Sequence, residues 1–197
     1  MREAKEAGWF FGGAERHNEV CVKLAKWLKR QNSQSWAACN LKSYRDKGHS
    51  LSLSPDIDVV ILQDEKLIGC EVKLFAGRKA GLTESLFTEE RRIIRGIDRE
   101  IYSGLGQTLY LLRYVDKAYL VLPSLRRLIE NFGLDIDVEY VLKEAMEKFL
   151  PIGLIYFTPK SDQELEFETI KEASEACLVG FHRTSLSQAV MEHHIDC

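Results

Sequence analysis

The chain has 197 residues, of which 45% are hydrophobic and 29% charged, as is ordinary for one globular domain with a sizeable core. No apolar run approaches the roughly 18 residues of a membrane helix, and the N-terminal stretch MREAKEAGWFFGG lacks the apolar core of a secretory signal. Five scattered cysteines without a CxxC pair argue against a disulfide framework and a structural zinc site. We therefore expect a cytoplasmic protein without a membrane partner.

The net charge of −3 is unevenly distributed along the chain. Residues 1–130 carry 22 Lys and Arg against 17 Asp and Glu, a net charge of +5. Residues 131–197 carry 5 against 13, a net charge of −8. A nucleic acid would bind better to the first part.

The predicted elements alternate between helices and strands. Residues 14–31 have apolar side chains at a helical period, including Val20 and Leu24. The following elements are, in chain order, a strand at 35–42, a polar loop at 43–54, strands at 56–63 and 66–74, an irregular stretch at 75–90, a helix from about 88 to 115 with a break near Gly104 and Gly106 left open, a strand at 117–123, helices at 124–133 and 138–150, and strands at 152–159 and 164–173. The pattern of residues 174–197 is ambiguous, and we leave open whether they form a helix and a frayed tail.

This order predicts an α/β fold, a mixed central β-sheet with helices on both faces. We expect one domain, 1–197, whose functional core covers about 14–123 and whose C-terminal strands and helices cover about 124–197.

The two strands around Asp64 and Glu65 predict a hairpin with a two-residue turn. In that register Asp58 lies opposite Glu71 and Asp56 lies opposite Lys73, and opposed residues share a face. The other face is apolar and comprises Ile57, Val59, Ile61, Ile68, Cys70 and Val72.

Two carboxylates in direct opposition destabilise a sheet unless a cation lies between them. Hard oxygen ligands without His or Cys at matching positions favour magnesium or manganese. Gly69, opposite Val60, would leave room for a ligand to approach. The alternative is a solvated sheet face with salt bridges such as Asp56–Lys73.

Pro55-Asp56, with Asp58 two residues later, and Glu71-Val72-Lys73 resemble the motif of the PD-(D/E)XK nuclease superfamily. That superfamily includes restriction endonucleases, archaeal Holliday-junction resolvases and RecB-type nucleases. The resemblance covers a little over half the chain and implies a restriction-endonuclease-like fold and a Mg²⁺-dependent DNA nuclease that hydrolyses phosphodiester bonds, with Mn²⁺ as a substitute ion.

The resemblance also implies roles for the motif residues. Asp58, Glu71 and the carbonyl of Val72 would hold the metal, and Lys73 would orient or help deprotonate a water. Asp56 matches the literal motif, whereas the register favours Asp58 as the main ligand. Asp56 would then be a second ligand or the partner of Lys73.

Two helices would support this site, again by resemblance. Glu19 of the first helix would contribute a carboxylate to the metal, with Glu15 as the fallback. Gln107 of the helix after the motif would act in the catalytic site. RecB-type enzymes have the pattern Q-x-x-x-Y at this place. Here Tyr110 follows Gln107 by three residues, as Q-x-x-Y, so the role of Tyr110 is left open.

Basic residues on both sides of the motif would bind DNA phosphates. They are Lys42, Arg45 and Lys47 before the motif and Arg78 and Lys79 after it. A homodimer would be required for junction cleavage. The alternative functions are a nuclease-like protein that binds nucleic acid or a partner without cleavage, and an ordinary α/β scaffold. The form of the DNA is left open.

Overall fold

The protein is built around a six-stranded mixed sheet in the order β1-β4-β5-β6-β7-β8, with a separate hairpin β2-β3. The structure is a computed structural model, which describes residues 13–31, 34–41, 44–46, 49–51, 56–75, 86–124, 126, 138–161, 163–176 and 183–195. The helices are α1 (Ala14–Gln31), α2 (Leu86–Leu111), α3 (Val138–Phe149) and α4 (Arg183–Glu192). The strands are β1 (Trp36–Leu41), β2 (Tyr44–Asp46), β3 (His49–Leu51), β4 (Ile57–Gln63), β5 (Lys66–Val72), β6 (Lys117–Pro123), β7 (Gly153–Pro159) and β8 (Leu165–Lys171).

The sheet is antiparallel at its two sides and parallel in the middle. β5, β6 and β7 run parallel to one another, and the pairs β1–β4, β4–β5 and β7–β8 are antiparallel. Parallel neighbours need a long crossover. Helix α2 lies between β5 and β6 in the chain and packs against both.

Helices cover both faces of the sheet, as the alternation of elements predicts. On one face, Val20, Cys21 and Leu24 of α1 pack in the same apolar cluster as Val59 and Val72. The opposite face carries a second cluster, to which the other three helices contribute Ile97 and Leu111 (α2), Leu142 and Met146 (α3), and Leu186 and Val190 (α4). The predicted mixed α/β architecture is therefore confirmed. None of the helices in the described ranges combines the length and apolar character that membrane crossing requires.

The hairpin β4–β5 has the predicted register. Gln63 pairs with Lys66 and Val60 pairs with Gly69. Asp64 and Glu65 have φ angles of 49° and 62°, so the turn has the left-handed backbone at both residues that a tight two-residue hairpin requires.

Two sequence-based expectations differ from the structure, and the open question of a break in the long helix is answered. The polar loop predicted at 43–54 contains β2 and β3. Helix α2 runs unbroken through Gly104 and Gly106. A Cβ on Gly69 would lie 3.1 Å from Val115 Cγ1, so the space beside this glycine is filled by the segment after α2, and the prediction of room for a ligand there is wrong.

Two C-terminal predictions have different outcomes. The helix predicted at 124–133 lies largely outside the described residues, apart from positions 124 and 126. Helix α4 accounts for part of the unassigned segment 174–197.

At Gly104 the backbone of α2 lies close against the sheet. A Cβ there would lie 2.7 Å from Leu120 Cδ1 and 3.0 Å from Lys73 Cγ, whereas a Cβ on Gly106 would meet nothing within 4 Å. Leu120 is fully buried. The close approach therefore depends on the missing side chain at position 104.

We predict that Gly104→Ala and Gly106→Ala have opposite effects on stability. Both changes favour the helix by about 0.5–1 kcal/mol, but overpacking at position 104 costs about 1–3 kcal/mol. Urea unfolding should place Gly106→Ala above and Gly104→Ala below the wild type. Equal free energies of unfolding for the two variants would contradict the close approach of α2.

Candidate metal centre at the open end of the hairpin

The candidate site lies where β4 and β5 stop pairing. Their pairing extends from the turn to Val59 opposite Cys70. Beyond that pair, the backbone N–H of Val72 donates a hydrogen bond to Asp58 Oδ2 at 2.8 Å. The side chain of Asp58 thus accepts a hydrogen bond from β5 where a backbone carbonyl of β4 would otherwise accept one.

The regular alternation of β4 reverses at Asp58. Val59 packs on the α1 side of the sheet, whereas Ile57 packs with the cluster on the opposite side. The neighbouring strand reverses at the same level, since Asn40, between the pairs Cys39–Val59 and Leu41–Ile57, has a φ of 54°. Asn tolerates this left-handed backbone better than most residues. The prediction that Ile57 shares a face with Val59 is therefore wrong.

The predicted opposition of Asp58 and Glu71 is not part of the ladder, whose last pair is Val59 and Cys70. Asp58 contacts Val72 N and, on the α1 side, His17, while Lys73 Nζ lies 2.6 Å from Glu71 Oε1. Lys73 thus pairs with Glu71 and not with Asp56, which is exposed just before β4. The predicted opposition of Asp56 and Lys73 is wrong, because the strands diverge before they reach these residues.

Glu71 is a buried carboxylate with an incomplete set of partners. Its residue surface is only 3% exposed. Oε1 binds Lys73, but Oε2 is buried and has no hydrogen-bond partner among the described residues. Burial, and next the charge of Asp58, raises the pKa of Glu71 to about 7, against the opposing effects of Lys73 and His17. The surroundings of Glu71 therefore disfavour its charged form.

His17 is the site residue that the sequence analysis missed. Its Nε2 lies 3.0 Å from the carbonyl oxygen of Val72 and 3.4 Å from Asp58 Oδ2. The hydrogen bond to Asp58 raises the pKa of His17, although burial lowers it. A signal was present, because His17 precedes Val20 and Cys21 by three and four residues and so extends the buried stripe of α1.

The other predicted positions lie outside this cluster or are not described in detail. Glu19 pairs with Arg16 at 2.8 Å and with Lys23 at 3.4 Å on the surface of α1. Glu15 is exposed. Gln107 is half-buried, and its Oε1 accepts a hydrogen bond from Ser103 at 3.4 Å.

The predicted DNA-binding residues cannot be placed in the same way. Arg45 is described only as part of the backbone of β2. Lys42, Lys47, Arg78 and Lys79 lie outside the described residues.

The site offers two kinds of metal ligand. Asp58, Glu71 and the Val72 carbonyl supply oxygen, and the unpartnered Oε2 of Glu71 fits a cation as its missing partner. His17, Cys21 and Asp58 form a second group, whose ligand atoms all lie within 4.8 Å of one another. Cys21 Sγ is 3.7 Å from His17 Nδ1.

We predict that Glu71→Gln stabilises the protein at high pH. The folded-state pKa is raised above the unfolded value, so the native state holds its proton more tightly and loses stability as the pH rises from about 4.5 through 7. Removing the charge should therefore add about 2–3 kcal/mol at pH 8 and almost nothing below pH 4.5. Urea unfolding across this pH range measures the difference.

Glu175→Gln is the matched control. This exposed carboxylate pairs with Lys66, which lowers the pKa of Glu175. Its neutralisation should bring no gain at high pH. If the effect of Glu71→Gln on the free energy of unfolding does not depend on pH, the buried Glu71 carboxylate does not have the raised pKa described above.

No family model, no curated protein and no solved structure matches this chain. The functional interpretation of the site therefore rests on its geometry: the Lys73–Glu71 pair and the His17–Asp58 pair at the open end of one hairpin.

Proposed function

We propose that the protein is a metal-dependent nuclease that hydrolyses phosphodiester bonds in DNA, with Mg²⁺ as its ion. The observation that carries the proposal is the buried Oε2 of Glu71, which has no hydrogen-bond partner within the part of the chain that the structure describes. Burial and the charge of Asp58 both raise the pKa of this carboxyl group. Two carboxylates held this way are costly unless a cation compensates them. Oxygen ligands of this kind suit Mg²⁺ or Mn²⁺.

Three groups would hold the ion. They are the carboxylates of Asp58 and Glu71 and the carbonyl oxygen of Val72. When bound, Mg²⁺ would polarise the scissile phosphate and lower the pKa of a coordinated water. His17 Nε2 contacts both Asp58 and the Val72 carbonyl. When the ion binds, His17 would therefore have to move away from these groups, or lose the Nε2 hydrogen and become a ligand itself.

Lys73 supplies the positive charge of the site. Its Nζ is held by Glu71, and its side chain is 16% exposed, so the ammonium remains accessible at the edge of the site. It would donate hydrogen bonds to a phosphate oxygen and offset the negative charge that develops there. It would also orient the attacking water. Gly104 supports this placement because α2 packs directly on the Lys73 stem.

The sequence leaves the DNA form open, and the site is compatible with several. A panel of linear duplex, single-stranded, flap and four-way junction DNA separates them. Paired cuts in the junction would indicate a homodimer with two sites. Binding without cleavage and without metal uptake would favour the alternative, a nuclease-like protein that acts through binding alone.

We predict Mg²⁺-dependent cleavage of at least one of these substrates, abolished by EDTA. Glu71→Gln should remove a metal ligand and Lys73→Ala the ammonium, and each should lower the cleavage rate by about 100-fold or more. Gel-based rates at saturating Mg²⁺, with circular dichroism to verify folding, measure the effect.

The controls are Glu166→Gln and Lys160→Ala. They make the same chemical changes in an exposed ion pair, 3.1 Å between Nζ and Oε1, on the surface. These variants should cleave like the wild type. Cleavage by Lys73→Ala at the wild-type rate, or cleavage that survives EDTA, would remove the assignment.

A further inference from the structure

We propose that His17, Cys21 and Asp58 bind a thiophilic divalent ion such as Zn²⁺ through the Cys21 sulfur, and that this ion competes with Mg²⁺. The zinc site itself stands independently of the nuclease assignment. Its inhibitory effect rests on the proposed function, because the two sites share Asp58.

The distances suit a tetrahedral ion. With Zn–S near 2.3 Å and Zn–N near 2.0–2.1 Å, neighbouring sulfur and nitrogen ligands lie about 3.5 Å apart. Cys21 Sγ and His17 Nδ1 are 3.7 Å apart. Asp58 belongs to the same group, with all three ligand atoms within 4.8 Å of one another. Because Asp58 Oδ2 lies 3.4 Å from Nε2, its carboxylate has to turn past the edge of the ring to reach an ion held at Nδ1.

The hydrogen-bonding pattern prepares the imidazole for this ion. The two groups that Nε2 contacts, the Val72 carbonyl and the Asp58 carboxylate, are both acceptors, so Nε2 carries the ring hydrogen. In the neutral ring, Nδ1 then offers its lone pair to the Cys21 thiol. A zinc ion would replace the thiol proton between these two atoms, and the proton would leave to solvent.

Ligand softness separates the two ions. A thiolate and an imidazole select zinc, cobalt or cadmium, whereas carboxylate and carbonyl oxygens select Mg²⁺ or Mn²⁺. Three protein ligands would leave the fourth zinc position open for water. Because Asp58 is a ligand in both arrangements, the two ions exclude each other.

Cobalt(II) is the direct probe of the thiolate. Titration of the full chain should produce a thiolate-to-cobalt charge-transfer band in the near ultraviolet, and zinc should remove it. Cys21→Ser should abolish the band, and His17→Gln should weaken cobalt binding by 10-fold or more. A wild-type chain without the band, or a Cys21→Ser chain that keeps it, would overturn the zinc site.

Cys39→Ser is the matched control, because Cys39 is a half-buried thiol on β1 outside the His17–Cys21–Asp58 group. This variant should keep the cobalt band. Since Cys21 is fully buried, its replacement could weaken folding, but His17 is partly exposed and His17→Gln tests the same site with Cys21 intact.

Cleavage assays then test the competition. Zinc should slow Mg²⁺-dependent cleavage at concentrations that saturate the site, and additional Mg²⁺ should relieve the inhibition. The cleavage rate with zinc, divided by the rate without zinc, should be at least 10-fold higher for Cys21→Ser than for the wild type. An inhibition that Mg²⁺ does not relieve, or that Cys21→Ser does not weaken, would overturn the competition.

The two proposals can fail separately. A chain that cleaves no DNA but shows the Cys21-dependent band would remove the nuclease assignment alone. A chain that cleaves DNA without the band would remove the zinc site alone.

Discussion

The site depends on one buried carboxylate that has only half of its hydrogen-bonding needs met. Glu71 sits in the middle of the sheet, where β5 pairs in parallel with β6 opposite Leu120, and no solvent reaches its second oxygen. Lys73 follows two residues later and is held by its backbone N–H, which donates to the carbonyl of Val121. The parallel pairing thus fixes both Glu71 and the ammonium that pairs with it, and the remaining electrostatic cost is what a cation would relieve.

Helix α1 completes the site from the other side of the sheet. It approaches the open end of the hairpin with an imidazole and a thiol, whereas β4 and β5 offer oxygen atoms. Asp58 lies between the two sets and belongs to both. In the two proposed arrangements, one for a hard ion and one for a soft ion, Asp58 would be the shared ligand.

Much of this arrangement could be predicted, because its main determinants are local. The alternation of β4 and β5 and the turn at Asp64-Glu65 define the register, and the order of elements defines the mixed sheet. The reversal at Asp58 could not be predicted, since it accompanies a left-handed residue, Asn40, on the adjacent strand. The choice of Glu19 over His17 followed the family resemblance, whereas the buried stripe of α1 would have favoured His17. The Lys73–Glu71 pair joins two residues of one extended segment and was not predicted, because Asp56 was expected to be the partner of Lys73.

The contact at Gly104 has a mechanical consequence. The backbone of α2 lies against the aliphatic stem of Lys73 with no side chain in between, so a sliding of the helix along the sheet would be transmitted to the ammonium group. The outer face of α2 exposes Tyr102 and Leu109. A molecule that pressed on that face could therefore tune the position of the amine from the far side of the helix.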